Sequence, residues 1–343
     1  PEGLYLLASV ALVVSVMRLA SKKVLVHDMK CIETLARVNV LCVDKTGTIT
    51  ENTMEVNGEI PMDGYDSQSM APLKQIISDF ASAMSSDNIT MKAMKDYFNK
   101  PSGRKAVSVS PFSSQFKYSG AAFEDGSYVL GAPEFVLRED YDNYREQIEQ
   151  YSSEGYRVLV FGIYDGVIDG KALTGKVTPL GLVFLSNPIR KEAPETFKYF
   201  ENQGVEIKVI SGDNPVTVSQ VALQAGIANA DNYIDASTLT TDEAIEDAVL
   251  RYTVFGRVTP DQKRKFVRAL KKAGRTVAMT GDGVNDVLAL KDADCSVAMA
   301  SGSDAAAQAS QLVLLDSNFA CMPSVVMEGR RVVNNITNVA KIF

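Results

Sequence analysis

Short runs of consecutive apolar residues alternate with segments of helical pattern from Val177 to the end of the chain. Apolar strands separated by helices of about a dozen residues are typical of a parallel sheet covered on both faces. The pattern therefore predicts a doubly wound α/β domain whose ligands bind at the carboxyl ends of the strands. The predicted strands are NVLCV (39–43), LGLVFL (180–185), VEIKVI (205–210), YTVF (252–255), RTVAMT (275–280), CSVAM (295–299) and QLVLL (311–315).

Between Thr53 and roughly Gly175 the pattern changes to short strands broken by Gly, Ser and Asp, with a helical segment at YDNYREQIEQYSSEG. This pattern indicates antiparallel hairpins with a helix or two. We therefore predict an α+β domain over 53–175 that is inserted into a parallel-sheet domain made of 28–52 and 176–322. Because the chain passes twice between the two domains, we expect a hinge there.

The two ends of the chain differ from both domains. GLYLLASVALVVSVM, from Gly3 to Met17, carries no charge and is followed by Arg18, Lys22 and Lys23. This run is shorter than the roughly 20 residues of a complete membrane span. We interpret residues 1–27 as the end of a membrane helix that leaves the bilayer on its basic, cytoplasmic side. An ordinary buried helix is the alternative. The final segment, 323–343, has the pattern of a further helix, which we interpret as the start of the next stalk or membrane helix.

Composition narrows the possible functions. Hydrophobic residues make up 46% of the chain and charged residues 22%, as in ordinary folded domains. The net charge of −7 opposes binding to nucleic acid. Cysteines are scattered without CxxC spacing and there is one histidine, which argues against zinc and thiolate sites and suits a reducing cytoplasm. These residues are Cys31, Cys42, Cys295, Cys321 and His27.

Polar residues follow several predicted strands, where parallel strands would bring them to one edge of the sheet. Carboxylates that converge in this way repel one another unless a cation lies among them. Hard oxygen ligands without imidazole or thiolate favour Mg²⁺, so the sequence predicts a magnesium phosphate site. The converging residues are Asp44 after NVLCV, Ser211, Gly212 and Asp213 after VEIKVI, Lys263 in DQKRKFVRALKKAG, and Asp282, Asn285 and Asp286 in GDGVND.

Asp44 itself has three possible roles: it caps a turn, binds a metal or attacks a phosphoryl group. A carboxylate attacks phosphorus in line once Mg²⁺ and a lysine neutralise the phosphoryl oxygens. Gly47 permits close approach of the backbone, and the hydroxyl groups of Thr46, Thr48 and Ser211 are candidates to hold phosphate oxygens.

Position 46 affects the lifetime of such an intermediate. Thr46 stands two residues after Asp44 and cannot act as a carboxylate general acid or base. Such catalysis commonly contributes about 10²- to 10⁴-fold, so we expect a persistent phosphoenzyme.

Each segment also has a purely structural interpretation. GDGVND alone would be a glycine-rich turn, SGDNP a helix N-cap, and the basic run 263–272 a solvated helix face. Their joint order, each after a suitable strand, favours the phosphate site.

Four motifs resemble those of the P-type, phosphoenzyme-forming cation ATPases of the haloacid-dehalogenase-like superfamily: DKTGT (44–48), SGD (211–213), GRVTPDQK (256–263) and TGDGVND (280–286). The resemblance implies that Asp44 is the catalytic nucleophile and that Lys263 stabilises the transferring charge. It also implies a Mg²⁺ site completed by Asp282 and the Thr46 carbonyl, with Asp286 orienting the site. Asp213, Arg257 and Asn285 would support phosphate and nucleotide.

The resemblance further implies that the inserted domain binds ATP. FSSQFK (112–117) is similar to the segment whose aromatic ring stacks on adenine, with a lysine nearby. Without the resemblance, a core aromatic would be the simpler interpretation of Phe112. The implied nucleotide contacts are Phe112, Lys117, Gly131 of GAPE, Arg157 of GYRVL and Arg190 of NPIR.

Three departures from the family pattern affect this implied ATP site. Leu130 replaces the lysine of KGA, Ser114 replaces an arginine, and Asn187 replaces the aspartate of DPxR. We expect the first two to weaken nucleotide binding. At position 187 an acidic contact is lost, although Asn187 retains hydrogen-bonding groups.

PEGL at the start resembles the unwound midpoint of an ion-binding membrane helix, with Glu2 as a ligand of the transported ion. Carboxylate oxygen suits Ca²⁺ or Mg²⁺. The resemblance implies a parent protein in the cell membrane that also has an actuator domain and more membrane helices. Two alternatives stay open: a soluble phosphatase of the same superfamily, which Thr46 opposes, and a catalytically inactive nucleotide-binding module, which Leu130 and Asn187 favour.

Overall fold

A computed structural model of the chain describes residues 2–342. Its contacts divide the chain into two compact units. The first unit combines the chain up to Glu51 with the chain from Ile189 onward, and the second is Asn52–Pro188. An isolated antiparallel bridge pairs Thr50 with Ile189, so the first unit leaves and resumes at adjacent points.

The strands of both units are numbered in chain order. They are β1 (Val24–Val26), β2 (Val40–Val43), β3 (Glu55–Pro61), β4 (Ser108–Ser110), β5 (Tyr118–Phe123), β6 (Gly126–Gly131), β7 (Arg157–Tyr164), β8 (Val177–Ser186), β9 (Glu206–Ile210), β10 (Tyr233–Asp235), β11 (Val254–Gly256), β12 (Val277–Gly281), β13 (Cys295–Met299) and β14 (Leu312–Leu314).

The α-helices are numbered in the same way. They are α1 (Glu2–Ser21), α2 (Lys30–Leu35), α3 (Leu73–Ala83), α4 (Ile89–Tyr97), α5 (Pro133–Leu137), α6 (Tyr141–Ser153), α7 (Ala193–Asn202), α8 (Pro215–Gln224), α9 (Asp242–Arg251), α10 (Pro260–Lys272), α11 (Val287–Asp292), α12 (Asp304–Ala309) and α13 (Met322–Ala340).

The first unit is built on an eight-stranded sheet in the order β1-β14-β13-β12-β2-β9-β11-β10. Neighbouring strands are parallel except β1, which pairs antiparallel with β14 at one edge. The predicted parallel α/β sheet is therefore confirmed. The sequence analysis missed β1 and β10, three-residue strands at the two edges of the sheet, because so short a run carries little periodic signal.

Alternate residues of β2 belong to opposite hydrophobic cores. Leu41 and Val43 join the core that includes residues of α2, α7, α8 and α13, whereas Val40 and Cys42 join the core that includes residues of α9, α10 and α11. Burying each Val or Leu side chain contributes about 1.5–3 kcal/mol. Both faces of the sheet are thus covered, which explains the continuous apolar strands and places polar residues at the strand ends.

The second unit is a six-stranded antiparallel sheet in the order β3-β8-β7-β6-β5-β4. Residues of α3 and α4 share a core with Leu159 and Phe161 of β7, and residues of α5 and α6 share another with Val158 and Val160. This unit is therefore the α+β antiparallel domain expected from the sequence.

One strand belongs to a different sheet from the one the sequence predicts. LGLVFL lies within β8, which pairs antiparallel with β3 and β7 in the second unit. The prediction that 176–188 belongs to the parallel-sheet domain is wrong for this reason. β8 is central in its sheet and almost entirely buried on both faces, so it has the same continuous apolar pattern as a parallel strand.

Helix α1 is longer than the uncharged run and is largely unburied. Among the described residues it alone is long and apolar enough, by length and composition, to cross a membrane, with a mean hydropathy of 2.0. Only 11% of its apolar window is buried, so it is not an interior helix of this chain. Glu2 is the first residue of the helix, and Pro1 lies outside the described residues. On its packed side, Ser15 donates a 2.7 Å hydrogen bond to Glu328 of α13.

Candidate functional site

Asp44 lies directly after β2, between the carboxyl ends of β9 and β12 in the middle of the parallel sheet. Its backbone N–H faces the hydroxyl of Thr280 at 3.4 Å, and its Oδ1 accepts a 2.8 Å hydrogen bond from the N–H of Lys45. The Asp44 side chain is 16% exposed, which leaves its carboxylate accessible at the sheet edge.

The residues after Asp44, Lys45–Ile49, form a tight turn in which Thr46 and Gly47 have non-helical backbone angles. Gly47 adopts φ 84°, a left-handed conformation that favours glycine. The N–H of Thr50 closes the turn on the Lys45 carbonyl at 3.1 Å. The hydroxyl groups of Thr48 and Thr280 lie 3.4 Å apart, so buried contacts fix the turn beneath the nucleophile candidate.

Two more carboxylates reach the same point from the turn after β12. Ligand oxygens of Asp44, Asp282 and Asp286 all lie within 4.8 Å of one another. Asp286 is buried, and its Oδ2 accepts hydrogen bonds from the N–H groups of Gly283 at 3.1 Å and Asp282 at 3.3 Å. The structure therefore brings together the three acidic side chains that the sequence predicts as metal ligands.

Lys263 supplies the positive charge beside these acids. A capping box between Thr259 and Gln262, with Pro260 in the first turn, starts α10 and places Lys263 near its amino end. Its buried ammonium lies 2.8 Å from Asp286 Oδ1 and 3.6 Å from Asp44 Oδ2. One lysine thus faces two of the three carboxylates.

Burial and charge shift the pKa values of these groups. Burial raises the pKa of Asp44 to about 7; Lys263 opposes this shift, and Asp286 and Asp282 add to it. Burial and the charge of Asp286 also raise the pKa of Asp282. For Lys263, burial acts to lower the pKa, but Asp44 and Asp286 outweigh it, so the pKa is raised. The site thus carries more negative charge than its lysine neutralises.

The residues present fit a hard divalent cation. Three carboxylates within reach of one another provide oxygen donors, and no histidine or cysteine accompanies them in this described cluster. Oxygen-only donor sets suit Mg²⁺ or Ca²⁺ rather than zinc. A bound cation would also offset both the burial and the smaller repulsion from Asp286 and Asp282 that raise the pKa of Asp44.

The SGD motif lies after β9, beside the turn. Asp213 Oδ2 is 2.5 Å from the ammonium of Lys45, and the Asp213 N–H donates to the Ser211 hydroxyl at 3.2 Å. Ser211 is buried, whereas Gly212 is exposed. Asp213 therefore contacts the residue that follows Asp44, a partner that the sequence analysis did not predict.

Arg257 and Asn285 occupy the outer part of this unit. Arg257 has φ 50°, and its guanidinium pairs with Asp235 at 2.5 Å, so its charge is already engaged. Asn285 is exposed on the turn between Asp282 and Asp286.

In the second unit, three of the predicted nucleotide contacts line one cavity of about 170 Å³. Phe112 is 44% exposed there, which leaves its ring free to stack. Arg157 lies 3.4 Å from the Thr90 hydroxyl through Nη1. The cavity is lined by Asn88, Thr90, Met91, Phe112, Ser119, Leu130, Gly131, Arg157 and Leu159.

Gly131 has a steric reason to be glycine. A Cβ atom at this position would lie 2.3 Å from the Lys117 carbonyl oxygen. Lys117 is exposed on the adjacent turn, with φ 55°, and its side chain is not part of the cavity wall. Among the departures from the family pattern, Leu130 is 3% exposed in the cavity wall, and Ser114 is exposed. Asn187 donates to the Thr53 carbonyl at 2.9 Å.

Glu2 and Arg190 do not line the cavity of the second unit. Glu2 opens α1. Arg190 belongs to the first unit, where its guanidinium bonds to backbone carbonyls of Gly47 and Ser317 rather than lining the cavity. Sequence reasoning missed the contacts of Thr280 and Thr90. Only their positions could have suggested them: Thr280 is the first residue of TGDGVND, and Thr90 lies in α4 of the inserted domain.

The sheet order, the Asp44 turn and the acidic cluster are those of a haloacid-dehalogenase-like domain. In agreement, the haloacid dehalogenase-like hydrolase family matches residues 38–294, and the chain belongs to this family. Among curated proteins, the chain is 45% identical over its whole length to the calcium-transporting ATPase CtpE of Mycobacterium tuberculosis, of which it spans 43%.

Other relatives are also named as transport ATPases. The chain is 42% identical to the probable cation-transporting ATPase exp7 of Streptococcus pneumoniae, covering all of this chain and 44% of that protein. It is 31% identical to human calcium-transporting ATPase type 2C member 2, covering 98% of this chain and 42% of that protein. The chain thus spans less than half the length of these relatives. Their similarity confirms the resemblance to cation-transporting ATPases.

A solved structure supports the fold. The crystal structure of a zinc-transporting PIB-type ATPase in its E2.Pi state matches with a TM-score of 0.70, covering 96% of this chain and 47% of that one. At 20% identity this likeness concerns the fold alone. It confirms the predicted combination of a parallel α/β sheet with an inserted α+β domain.

Proposed function

We propose that this chain is the ATP-binding and phosphorylation part of a membrane ATPase that transports a cation, with Asp44 as the phosphorylated residue. The observation that carries the proposal is the cluster at the sheet edge. Oδ2 of Asp44 lies 3.6 Å from the Lys263 ammonium. One carboxylate oxygen from each of Asp44, Asp282 and Asp286 lies within 4.8 Å of the other two. The names of the relatives supply the transport function.

In the proposed reaction an oxygen of Asp44 forms a bond to the γ-phosphorus of ATP, and the bond from that phosphorus to the ADP oxygen breaks. Lys263 holds positive charge beside the carboxylate and the transferring group. Mg²⁺, held by Asp44, the Thr46 carbonyl, Asp282 and Asp286, would neutralise charge on the phosphoryl oxygens. Thr48, Ser211, Gly212, Asp213 and Asn285 are the proposed phosphate and nucleotide supports of this unit.

Thr46 determines how long the acyl phosphate lasts. Its side chain is half-buried beside Asp44 and has no carboxyl group to activate water. General acid or base catalysis commonly contributes about 10²- to 10⁴-fold, so hydrolysis without it is slow. A long-lived phosphoenzyme gives time for a change of shape, whereas a phosphatase would need rapid loss of phosphate.

We assign ATP binding to the second unit and phosphorylation to the first. The cavity offers the exposed ring of Phe112 for the base and the guanidinium of Arg157 for phosphate. Gly131 keeps the cavity wall close to the Lys117 turn. Lys117, Arg190 and Arg257 remain proposed nucleotide contacts on the resemblance alone.

The transported ion is proposed to be Ca²⁺ or another hard cation, because several relatives are named calcium-transporting ATPases and Glu2 offers carboxylate oxygen. Helix α1 and the helix α13 that packs on it are proposed to connect this chain to the cell membrane. An actuator domain and further membrane helices of the parent polypeptide would complete the pump.

Labelling with γ-³²P ATP and Mg²⁺ in the full-length protein tests the proposal. We expect acid-stable, hydroxylamine-sensitive label in wild type and none in Asp44→Asn. Added Ca²⁺, Mg²⁺, Mn²⁺ and Zn²⁺ are compared as stimulating ions. Label that survives Asp44→Asn, or its absence from wild type with every cation, would refute the assignment.

A further inference from the structure

Arg190 joins two loops of the first unit through a single nitrogen. Its Nη2 donates hydrogen bonds to the carbonyl oxygens of Gly47 at 3.0 Å and Ser317 at 2.8 Å. The backbone N–H of Arg190 also donates to the Ile49 carbonyl at 3.0 Å. The residue is therefore bonded to the Asp44 turn by both its backbone and its side chain.

The Gly47 end of this contact bears on the candidate nucleophile. Gly47 lies three positions after Asp44, in the turn Lys45–Ile49, where it has φ 84°. Thr48 packs on Thr280 from within the sheet, and Arg190 approaches the carbonyl of the preceding residue. Buried carbonyl groups need a donor, so loss of the guanidinium would leave this side of the turn unsupported.

The Ser317 end leads back to the acidic cluster by two further hydrogen bonds. The Ser317 hydroxyl accepts a 2.8 Å hydrogen bond from the Ser301 N–H. Two residues later the Ser303 N–H donates to the Asp282 carbonyl at 2.6 Å. The turn that contains Ser317 then continues to α13. Arg190 thus lies between the loop that carries Asp44 and the loops that hold Asp282.

We propose that Arg190 is a positioning residue for the acidic site. Its guanidinium fixes the Gly47 and Ser317 carbonyls relative to each other and thereby keeps Asp44 and Asp282 at a separation that one divalent cation can bridge. This inference rests on the proposed function of Asp44, and it assigns Arg190 a role distinct from nucleotide contact. Partners that orient metal ligands typically change metal affinity or activity by about 10- to 100-fold when they are mutated.

Arg190→Met tests this role because it keeps an apolar stem and removes the donors. Mg²⁺ affinity of the 343-residue chain is measured by calorimetry without nucleotide, and ATP affinity is measured separately by fluorescence in EDTA. We expect Mg²⁺ affinity to fall about 10- to 100-fold, ATP affinity to stay within about twofold, and Arg190→Lys to restore part of the Mg²⁺ affinity. Lys191→Met, which also replaces a cationic side chain by methionine but at the exposed next residue, should match wild type in both Mg²⁺ and ATP affinity.

Other results would overturn the inference. If Arg190→Met weakens ATP and spares Mg²⁺, Arg190 contacts nucleotide instead. If Arg190→Met does not fold, as judged by circular dichroism, the shorter Arg190→Gln decides: wild-type Mg²⁺ affinity in that folded variant would overturn the positioning role. Absence of label at Asp44 in wild type, together with the expected loss of Mg²⁺ affinity in Arg190→Met, would refute the phosphorylation proposal and leave the positioning role supported.

Discussion

The Nζ atom of Lys263 donates a 2.8 Å hydrogen bond to Oδ1 of Asp286, and both side chains are at least nine-tenths buried. Asp286 uses its other oxygen to accept backbone N–H groups from its own turn. The pair therefore fixes the start of α10 to the turn after β12. It also brings a positive charge to the edge of the sheet where Asp44 emerges.

Lys263→Met should destabilise the metal-free protein strongly. Removing one partner of a buried ion pair costs about 3–5 kcal/mol, and here it leaves three carboxylates without their cation. Urea denaturation in EDTA at neutral pH measures the free energy of unfolding, and millimolar Mg²⁺ should recover part of the loss. Lys272→Met on the same helix removes an ammonium that is 71% exposed and should cost less than about 1 kcal/mol. Equal losses in the two variants would contradict the expectation.

Asp44→Asn should stabilise the metal-free protein in a pH-dependent way. The folded-state pKa of Asp44 is about 7, above its ordinary value of 3.8. Ionisation of Asp44 therefore lowers the free energy of unfolding as the pH rises from about 3.8, and this loss is complete above about pH 7. One pKa unit corresponds to about 1.4 kcal/mol, so we expect a gain of about 1–4 kcal/mol at pH 8 and less than about 1 kcal/mol at pH 4.

Thermal and urea unfolding of Asp44→Asn at the two pH values provide the measurement. The exposed Asp231→Asn should show no such pH dependence. With saturating Mg²⁺, wild type should become more stable than Asp44→Asn, because only wild type has the ionised Asp44 carboxylate as a ligand. A pH-independent difference would show that burial of the ionised Asp44 carboxylate beside the other acids does not control the stability of this site.

Phe112→Ala should weaken the binding of ATP and ADP alike. Stacking of a base on an aromatic ring contributes about 1–3 kcal/mol, so we expect the Kd of both nucleotides to increase by about 10- to 100-fold. Fluorescence titration in EDTA isolates this effect from the acidic site. Phe135→Ala is a matched control, since Phe135 is also 44% exposed in the same unit but does not line the cavity. If both variants lose affinity equally, the ring of Phe112 is not the base platform.

Leu130→Lys should raise ATP affinity while lowering stability. Leu130 is 3% exposed, belongs to the core shared with α3 and α4, and also lines the cavity. An ammonium there would face phosphate when nucleotide is bound, so we expect ATP affinity to rise by up to about fivefold. In the free protein the ammonium would be partly desolvated, which should lower the free energy of unfolding by about 1–3 kcal/mol. Calorimetry and urea denaturation measure the two effects. Leu130→Met should change stability by less than about 1.5 kcal/mol and leave affinity unchanged.

The convergence of the acidic side chains could be predicted from the sequence because chemistry and strand order agree there. Asp44, Asp282 and Asp286 follow strands that are neighbours in the parallel sheet, so a correct sheet brings them together. The partners of these residues were harder to predict. The contact of Lys45 with Asp213, and those of Thr280 with Asp44 and Thr48, depend on side-chain directions within turns, which periodicity does not report.

β8 and Arg190 show a second limit of the sequence. A strand buried on both faces has the same apolar pattern in either kind of sheet, so only its pairing with β3 and β7 identified its unit. Arg190 was predicted to contact nucleotide from its motif. Its hydrogen bonds to Gly47 and Ser317 follow from where the chain resumes the first unit, and no local pattern encodes them.

The antiparallel bridge between Thr50 and Ile189 holds the two places where the first unit is interrupted by the second next to each other. Paired residues on adjacent strands lie about 5 Å apart, so a linker of a few Gly and Ser residues would replace 52–188 without stretching the remaining chain. Each unit also possesses its own hydrophobic cores. We therefore expect that the second unit can be expressed separately, and that a chimaera carrying another insert would keep the fold of the first unit.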